Sequence, residues 1–411
     1  MPEFFNVFAP DVALRILLER LQRRVETAII PTHQALGRVT AEAVLAPEHL
    51  PAFPRSTMDG YAVRACDTFG ASESLPAYLE VVGEVRMGQA SDITLATGQA
   101  AVAYTGGMLA NHADAVVMVE NTQEIDATSI EVLRPVAPGE NVIQVGEDVR
   151  LGEVIVPAGC LLRPQDIGGL LALGITQIKV RYRPRVAIVS TGDEIVAPNT
   201  TPAPGQIRDI NTYTIAALVE QAGGVPVSMG VVQDDYEAQR QMAVEGLSQA
   251  DMLIFSAGSS VSSRDMTVQV LDSLGPPGVL VHGIAHRPGK PTIMALIEDK
   301  PAFGLPGNPV SAMIVFRLLV RPTLYALAGC TQVPQPRTVL ARLTKNIPSV
   351  TGREDHVQVR LVHGDGVLHA EPVFGKSNLI YTLIRADGVV VVPLDQGGLY
   401  AGAEVPVQLY D

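Results

Sequence analysis

The sequence predicts a multidomain α/β protein organised around a central, doubly wound, mostly parallel sheet. Three observations carry that reading. Apolar β-branched runs alternate with helical patterns from Arg185 to Ala312. Each run stops at a loop of small, polar and acidic residues. Shorter strand-like runs, separated by Gly and Asp turns, flank this block on both sides. Strand–helix alternation calls for a parallel sheet covered by helices on both faces. In such sheets ligands sit beyond the carboxyl ends of the strands, where all these loops fall.

The elements follow in order. Asp11–Val25 carries Leu14, Leu17, Leu18, Leu21 and Val25 at helical spacing, and Thr32–Leu45 reads as a second helix between Pro31 and Pro47. Residues 47–64 are rich in proline and predict an extended connector. Leu79–Tyr104, Ala115–Glu120 and Ser129–Leu133 read as a small β domain. A helix over Pro164–Leu173 stops at Gly174. In the central block, strands over Arg185–Ser190, Val225–Val232, Asp251–Phe255 and Val279–Ala285 alternate with helices over Ile210–Gln221, Tyr236–Ser248 and Met266–Leu274. Asp209 is placed to cap the first of these helices. A long apolar helix over Ala312–Leu327 and a linker at 330–336 precede a tail of alternating strands, expected to form a small barrel or sandwich.

Bulk composition narrows the function. The 411 residues are 47% hydrophobic and 18% charged, ample for buried cores. No Trp, 5% aromatic residues and a net charge of −13 argue against a nucleic-acid partner. A small anionic substrate needs a local basic pocket or a bridging divalent cation. Cys66, Cys160 and Cys330 are too far apart for a zinc knuckle or a disulfide framework. The first twenty residues lack a basic leader with an apolar core, and no apolar run approaches the ~18 residues of a membrane span. A cytoplasmic chain with no membrane partner is expected.

Several loops carry chemistry. Asp193, Glu194, Asp234, Asp235 and Asp265 lie just past strand ends and offer hard oxygen ligands for Mg²⁺. Capping and solvating turns explain any one of them better; three on one sheet edge leave the two readings even. SAGSSVSSRDMT (256–267) and GLPGNPVSA (304–312) put small residues where a strand turns into a helix, letting backbone N–H groups approach a phosphate. Both also serve as plain turns. In the second, Asn308 suits an N-cap and Pro309 the first helical position. Arg287 and Lys290 add a fork and a point charge of the kind a tetrahedral oxyanion needs. STMDGYAVR (56–64) and YTGGML (104–109) are, each taken alone, ordinary turns. The residues by themselves reach an α/β enzyme acting on a phosphorylated small molecule with Mg²⁺.

Together, STMDGYAVR, TGGM followed by ADAVVMVE, VGEDV (145–149), VAIVSTGDE, GQIRDIN, VVQDD, RDMT, RPGKP and GLPGNPVSA resemble the molybdopterin molybdenumtransferase family, the molybdenum insertases. Their order and spacing cover essentially the full chain. The resemblance implies four domains: a helical and linker domain over 1–46 and 145–180, an inserted β domain over 47–144, a central α/β domain over 181–327, and a C-terminal β-barrel over 328–411. It implies a homodimer whose site forms between the central domain of one subunit and the inserted domain of its partner. The implied reaction takes adenylylated molybdopterin and molybdate to molybdenum cofactor and AMP with Mg²⁺. The substrate's dithiolene supplies sulfur, so no cysteine cluster is needed. A molybdopterin adenylyltransferase and molybdoenzyme apoproteins are the further partners it implies.

Carried over by position, the resemblance makes Asp59, Thr105 and Asp148 functional residues. Glu194, Asp234 and Asp265 become the acids serving Mg²⁺ and adenylate hydrolysis. Arg287 and Lys290 become the basic pair, with Ser377 and Arg353 near the metal oxyanion. Ser190-Thr191-Gly192, Gly258-Ser259-Ser260 and Pro306-Gly307-Asn308 supply loops for the pterin substrate. There are departures: Ser263, Arg264 and Gly283 stand where relatives often carry an acid, an aromatic residue and a Lys. These leave molybdate and tungstate both open as the metal oxyanion. The alternatives are an adenylyltransferase or nucleotide pyrophosphatase on the same central fold, or a binding scaffold. MDGYA, VGED and the C-terminal domain weigh against the enzymes, and the intact acidic set against the scaffold.

Overall fold

The computed structural model describes residues 7–256 and 261–410, with 261–265 as backbone alone. Its central sheet contains β1 (Arg185–Thr191), β2 (Val225–Val232), β3 (Met252–Ser256), β4 (Pro277–His282), β5 (Ile293–Ile297) and β6 (Lys300–Leu305), in the order β2-β1-β3-β6-β5-β4. β1, β2, β3 and β6 are mutually parallel, while β5 is antiparallel to both β6 and β4. Two reversals cancel, so β4 again points with the parallel set. Five strands therefore deliver their carboxyl ends to one edge.

The β5–β6 hairpin is absent from the sequence reading. Its two-residue turn, Glu298-Asp299, takes positive φ at both positions (46° and 67°), the primed geometry that matches strand twist. Asn-Gly is the usual signal for that turn, and Glu-Asp hides it.

Period-two alternation along the strands explains the layers. Val186 and Ile188 of β1, with Met252 and Ile254 of β3, face one core together with Ile215 and Val219 of the Asn211–Gln221 helix. Ala187, Val189, Leu253 and Phe255 face the opposite core with Ala243 of the Tyr236–Gln249 helix. The third helix of the block spans Val261–Asp272. Ala13 and Leu17 of the Pro10–Leu18 helix, and Leu21 beyond it, also bury in the first core. That helix ends seven residues short of Val25, although Leu21 and Val25 remain buried.

Helical structure continues from Pro309 to Leu327, with a π turn at Phe316–Val320. Its 19 residues are long and apolar enough to cross a bilayer, contrary to the run-length argument, but two thirds of it is buried inside the fold. Ala312, Val315, Leu319 and Leu324 all point into the first core, so packing accounts for its apolarity.

The expected helix over Thr32–Leu45 does not form. A 3₁₀ turn covers Thr32–Gln34, Gly37 adopts φ +68°, and Val39 and Thr40 pair with Leu161 and Val180. Backbone pairing with distant strands overrides a helix-like apolar pattern there.

The tail is a closed barrel. Glu354–Gly364 pairs with Val367–Pro372, which pairs with Thr338–Leu343, then Glu404–Leu409, then Gly388–Val392, which pairs back on Glu354–Gly364. Closure removes the exposed edges an open sheet would present. His286–Arg287 adds to this barrel as a short parallel strand against Glu354-Asp355.

The chain divides into two compact units: one holds residues up to Glu42, Ala158–Pro164 and Gln177 onward, the other Ala43–Pro157 and Gln165–Thr176. The second unit contains a six-stranded sheet, ordered Ala115–Met118, Gly60–Val63, Gln99–Ala103, Ala77–Glu84, Ser129–Val132 and Thr122–Asp126. Gly60–Val63, expected as connector, is an interior strand flanked by Gln99–Ala103 and Ala115–Met118. Gly60 is needed there because a Cβ would fall 1.9 Å from the Val117 carbonyl oxygen. Gly60→Ala should destabilise this unit by about 3 kcal/mol, the upper range for overpacking, through backbone displacement. Urea unfolding of the variant checks this, and an unchanged midpoint would contradict it.

Candidate active site

The second unit gathers two of the expected residues. The Asp59 carboxylate accepts hydrogen bonds from the Thr105 N–H at 2.8 Å and the Thr105 hydroxyl at 3.1 Å. Ser56 fixes the same corner: its N–H donates to the Gly107 carbonyl and its carbonyl accepts from Gly106 N–H. Two loops that read separately as plain turns thus form one knitted surface, with Asp59 and Thr105 exposed on it. Asp148 is also exposed, its N–H donating to the Leu50 carbonyl at 3.0 Å.

In the first unit the edge of the central sheet carries an acidic group. Gly192 ends β1 with φ +145°, and a Cβ there would meet the Glu194 carboxylate at 2.7 Å. Asp193 accepts the Asp234 N–H at 3.3 Å, bringing the loops after β1 and β2 together. Burial pushes the Asp234 carboxyl above the usual range, and the charges of Asp193 and Glu194 push it further. Among the described residues none of these three carboxylates takes part in an ion pair. Repulsion of this kind is what a divalent cation relieves, and oxygen donors of this hardness suit Mg²⁺. The donor set therefore fits Mg²⁺, although these three are not gathered within 4.8 Å of one another as the one compact ligand group among the described residues is. Mg²⁺ usually keeps several waters, which bridges such spacing.

Other expected residues have structural partners. Ser190 is buried and bonds Asp209 at 3.3 Å and Thr212 at 2.8 Å. Asp209 sits one residue before the N-cap position held by Ile210, yet its carboxylate accepts the Thr212 N–H at 3.1 Å. The Thr191 hydroxyl is buried with no hydrogen-bond partner. Gly258, Ser259 and Ser260, and the side chains of Ser263, Arg264 and Asp265, lie outside the described residues.

The basic residues line a cavity of about 840 Å³ between the loop after β4, the loop after β6 and the barrel. Arg287, Lys290, Arg353 and Lys376 face it against one acidic lining residue, Asp355. Asp355 is 3% exposed and holds Arg353 through Nε at 2.8 Å and a second guanidinium nitrogen at 3.3 Å. Arg287 approaches the same carboxylate at 3.6 Å. One buried anion thus positions two forks at the cavity wall while leaving the cavity net positive. Pro306 and Asn308 also line it, and Gly307 supplies its carbonyl to the Asn211 side-chain amide at 2.8 Å. Asn308 occupies the N-cap position, but its side chain donates to the Ser377 hydroxyl at 3.0 Å instead of capping. That bond ties the central domain to the barrel. Gly283 contributes backbone bonds only, its N–H donating to the Thr292 carbonyl at 2.8 Å.

Sequence reasoning missed His286, His356, Asp355 and Lys376 in this wall. The signal was their neighbourhood: His286 precedes RPGKP, Asp355 and His356 follow Arg353, and Lys376 precedes Ser377. His286 is 2% exposed; burial first, and then the neighbouring His356, lower its pKa to about 3.

The fold and cavity define a multidomain α/β protein with an acidic sheet edge and a cationic pocket. Profiles of the MoeA N-terminal region (domain I and II), the probable molybdopterin binding domain and the MoeA C-terminal region (domain IV) match residues 9–174, 187–326 and 340–410. A molybdopterin molybdenumtransferase of Nostoc is 34% identical, covering 95% of this chain and 90% of its own length. One of Bacillus subtilis is 32% identical, covering 94% and 91%. The crystal structure of a molybdopterin biosynthesis MoeA protein from Pyrococcus horikoshii superposes with a TM-score of 0.80 at 37% identity, over 98% of this chain and 99% of that one. The chain belongs to the molybdopterin molybdenumtransferase family, a family of enzymes.

The Asp234 environment gives a test. Its folded-state carboxyl titrates above the ordinary Asp value, so the charged form is penalised in the fold. That penalty is absent below the unfolded pKa of about 3.9 and grows as pH rises through the raised folded value. Asp234→Asn should therefore raise the melting temperature at pH 7, with the gain shrinking towards zero near pH 4. A gain independent of pH would contradict the assignment.

Proposed function

We propose that this chain inserts molybdate into adenylylated molybdopterin, releasing molybdenum cofactor and AMP with help from Mg²⁺. The observation that carries the reading is the cavity in which Arg287, Lys290 and Arg353 face one space beside Asn308 and Ser377. Molybdate is a tetrahedral oxyanion that only accepts hydrogen bonds, and this wall offers forks, an ammonium and a hydroxyl. Arg287 and Arg353, preset by Asp355, bind it with little loss of side-chain freedom. Lys290 adds a point charge.

Glu194 and Asp234, with Asp265, would hold Mg²⁺, which when bound neutralises charge on the phosphoanhydride. Asp234, its carboxyl raised by burial first and then by Asp193 and Glu194, is suited, when it does not ligate the ion, to take a proton from the water that cleaves the adenylate. Asp59 and Thr105 present a fixed hydroxyl and carboxylate to the substrate, as does the exposed Asp148 carboxylate. The pterin's dithiolene sulfurs replace oxygen on the molybdate, so no protein thiolate is required. A four-domain homodimer, working in the cytoplasm and exchanging substrate and product with an adenylyltransferase and apoenzymes, completes the proposal.

Purified protein supplied with adenylylated molybdopterin, Mg²⁺ and molybdate or tungstate should release AMP and form cofactor in step. Lys290→Ala should raise the oxyanion concentration needed for half-maximal insertion by about 10- to 100-fold, the worth of one charge-assisted contact. Cofactor formation that is indifferent to this substitution would remove the cavity from the reaction.

A further inference from the structure

We propose that His286, His356 and Glu354 form a binding site for a divalent transition ion of the zinc class, clipping the loop after β4 to the C-terminal barrel. Their ligand atoms lie within 4.8 Å of one another, the one such group among the described residues. The two imidazole centroids are 4.5 Å apart, and His356 Nε2 is 2.5 Å from the Glu354 carboxylate. Two imidazoles and a carboxylate are a common three-protein-ligand set for Zn²⁺, leaving a further position for water or substrate oxygen. The site is thus distinct from the carboxylate group at the sheet edge, whose donors suit Mg²⁺.

Burial supplies the independent argument. His286 is 98% buried, being 2% exposed, and neither of its ring nitrogens has a hydrogen-bond partner. Beyond the Pro288 carbonyl, which lies near enough to favour a proton on the ring, nothing on the protein offsets the desolvation of this imidazole, and such groups are rare in folded proteins. A bound ion accounts for one nitrogen. The Pro288 carbonyl, which already favours a proton on this ring, is at hand for the other. That is the usual outer partner of a metal-bound histidine. Tetrahedral zinc bonds of about 2.0–2.1 Å set ligand atoms about 3.3 Å apart, so the His356–Glu354 pair, now 2.5 Å apart, opens around the ion while His286 is brought up to it. Small ring rotations supply that.

The backbone makes the meeting possible. His286 pairs in parallel register with Glu354, and Arg287 with Asp355, so two segments nearly seventy residues apart present these side chains together. Gly289 leaves the room: a Cβ there would lie 3.3 Å from His286 Nδ1. Both histidines also line the cationic cavity. An ion there would stiffen the loop carrying Arg287 and Lys290.

The test uses the full chain, freed of any affinity tag and stripped with chelator, titrated with Co²⁺ as a spectroscopic stand-in for Zn²⁺. One equivalent should bind at about micromolar concentration or tighter and give the intense visible bands of a low-coordinate ion. His286→Ala and His356→Ala should each weaken binding at least about tenfold, with far-UV circular dichroism unchanged. X-ray absorption of the wild-type protein with one equivalent of Zn²⁺ should show two imidazoles in the first shell, and this decides the matter should a variant fail to fold. No saturable binding, full binding in both variants, or a shell without imidazole would each overturn the proposal.

Discussion

The parallel register of β1 with β2 and β3, and of β3 with β6, is the constraint on which the rest depends. Parallel strands must be joined by crossovers, and each crossover leaves its loop at the same edge. That places Glu194 and Asp234 side by side although forty residues separate them. It also places the loop after β6 where Asn308 can reach Ser377. β5 turns back and β4 turns again, so the Arg287–Lys290 segment joins the same edge. A single reversal would have sent it to the other end of the sheet.

Charge is then sorted by which neighbour each loop meets. Loops after β1 and β2 bring their carboxylates together, and burial first, then the charges of Asp193 and Glu194, hold Asp234 above the usual range. The loop after β4 meets the barrel, where the buried Asp355 fixes Arg353 and draws Arg287. A buried carboxylate between two half-exposed guanidiniums contributes little to stability once solvent screening is counted. Its effect is on position: it decides where two cationic forks stand. The result is an acidic edge and a cationic cavity in one compact unit, the complementary needs of the phosphoanhydride and the metal oxyanion proposed as substrates.

Much of this was legible in the chain. β-branched runs ending in small and acidic loops between Arg185 and Ala312 mark the central sheet, because both faces are buried and each strand must be apolar throughout. The alternating tail marks the barrel. The errors have two causes: long-range pairing that local pattern does not record, and turn chemistry carried by unusual residues. Val39 and Thr40 break a helix-like stretch by pairing with Leu161 and Val180, and Glu298-Asp299 makes a hairpin turn without the usual residues. At the site, Arg287 and Lys290 were readable from RPGKP. His286, Asp355 and His356 were not, since they become neighbours only through the parallel pairing of His286–Arg287 with Glu354-Asp355. Ser190 shows the reverse: a residue in a recognisable motif whose hydroxyl serves a buried network.

The central claim is that the cavity beside Asp355 collects a tetrahedral metal oxyanion. Tungstate matches molybdate in shape and charge and scatters X-rays anomalously. A crystal of the protein soaked in tungstate should show its strongest anomalous peak among Arg287, Lys290, Arg353 and Ser377. A peak confined to other basic surfaces, with that cavity holding only water, would contradict the account.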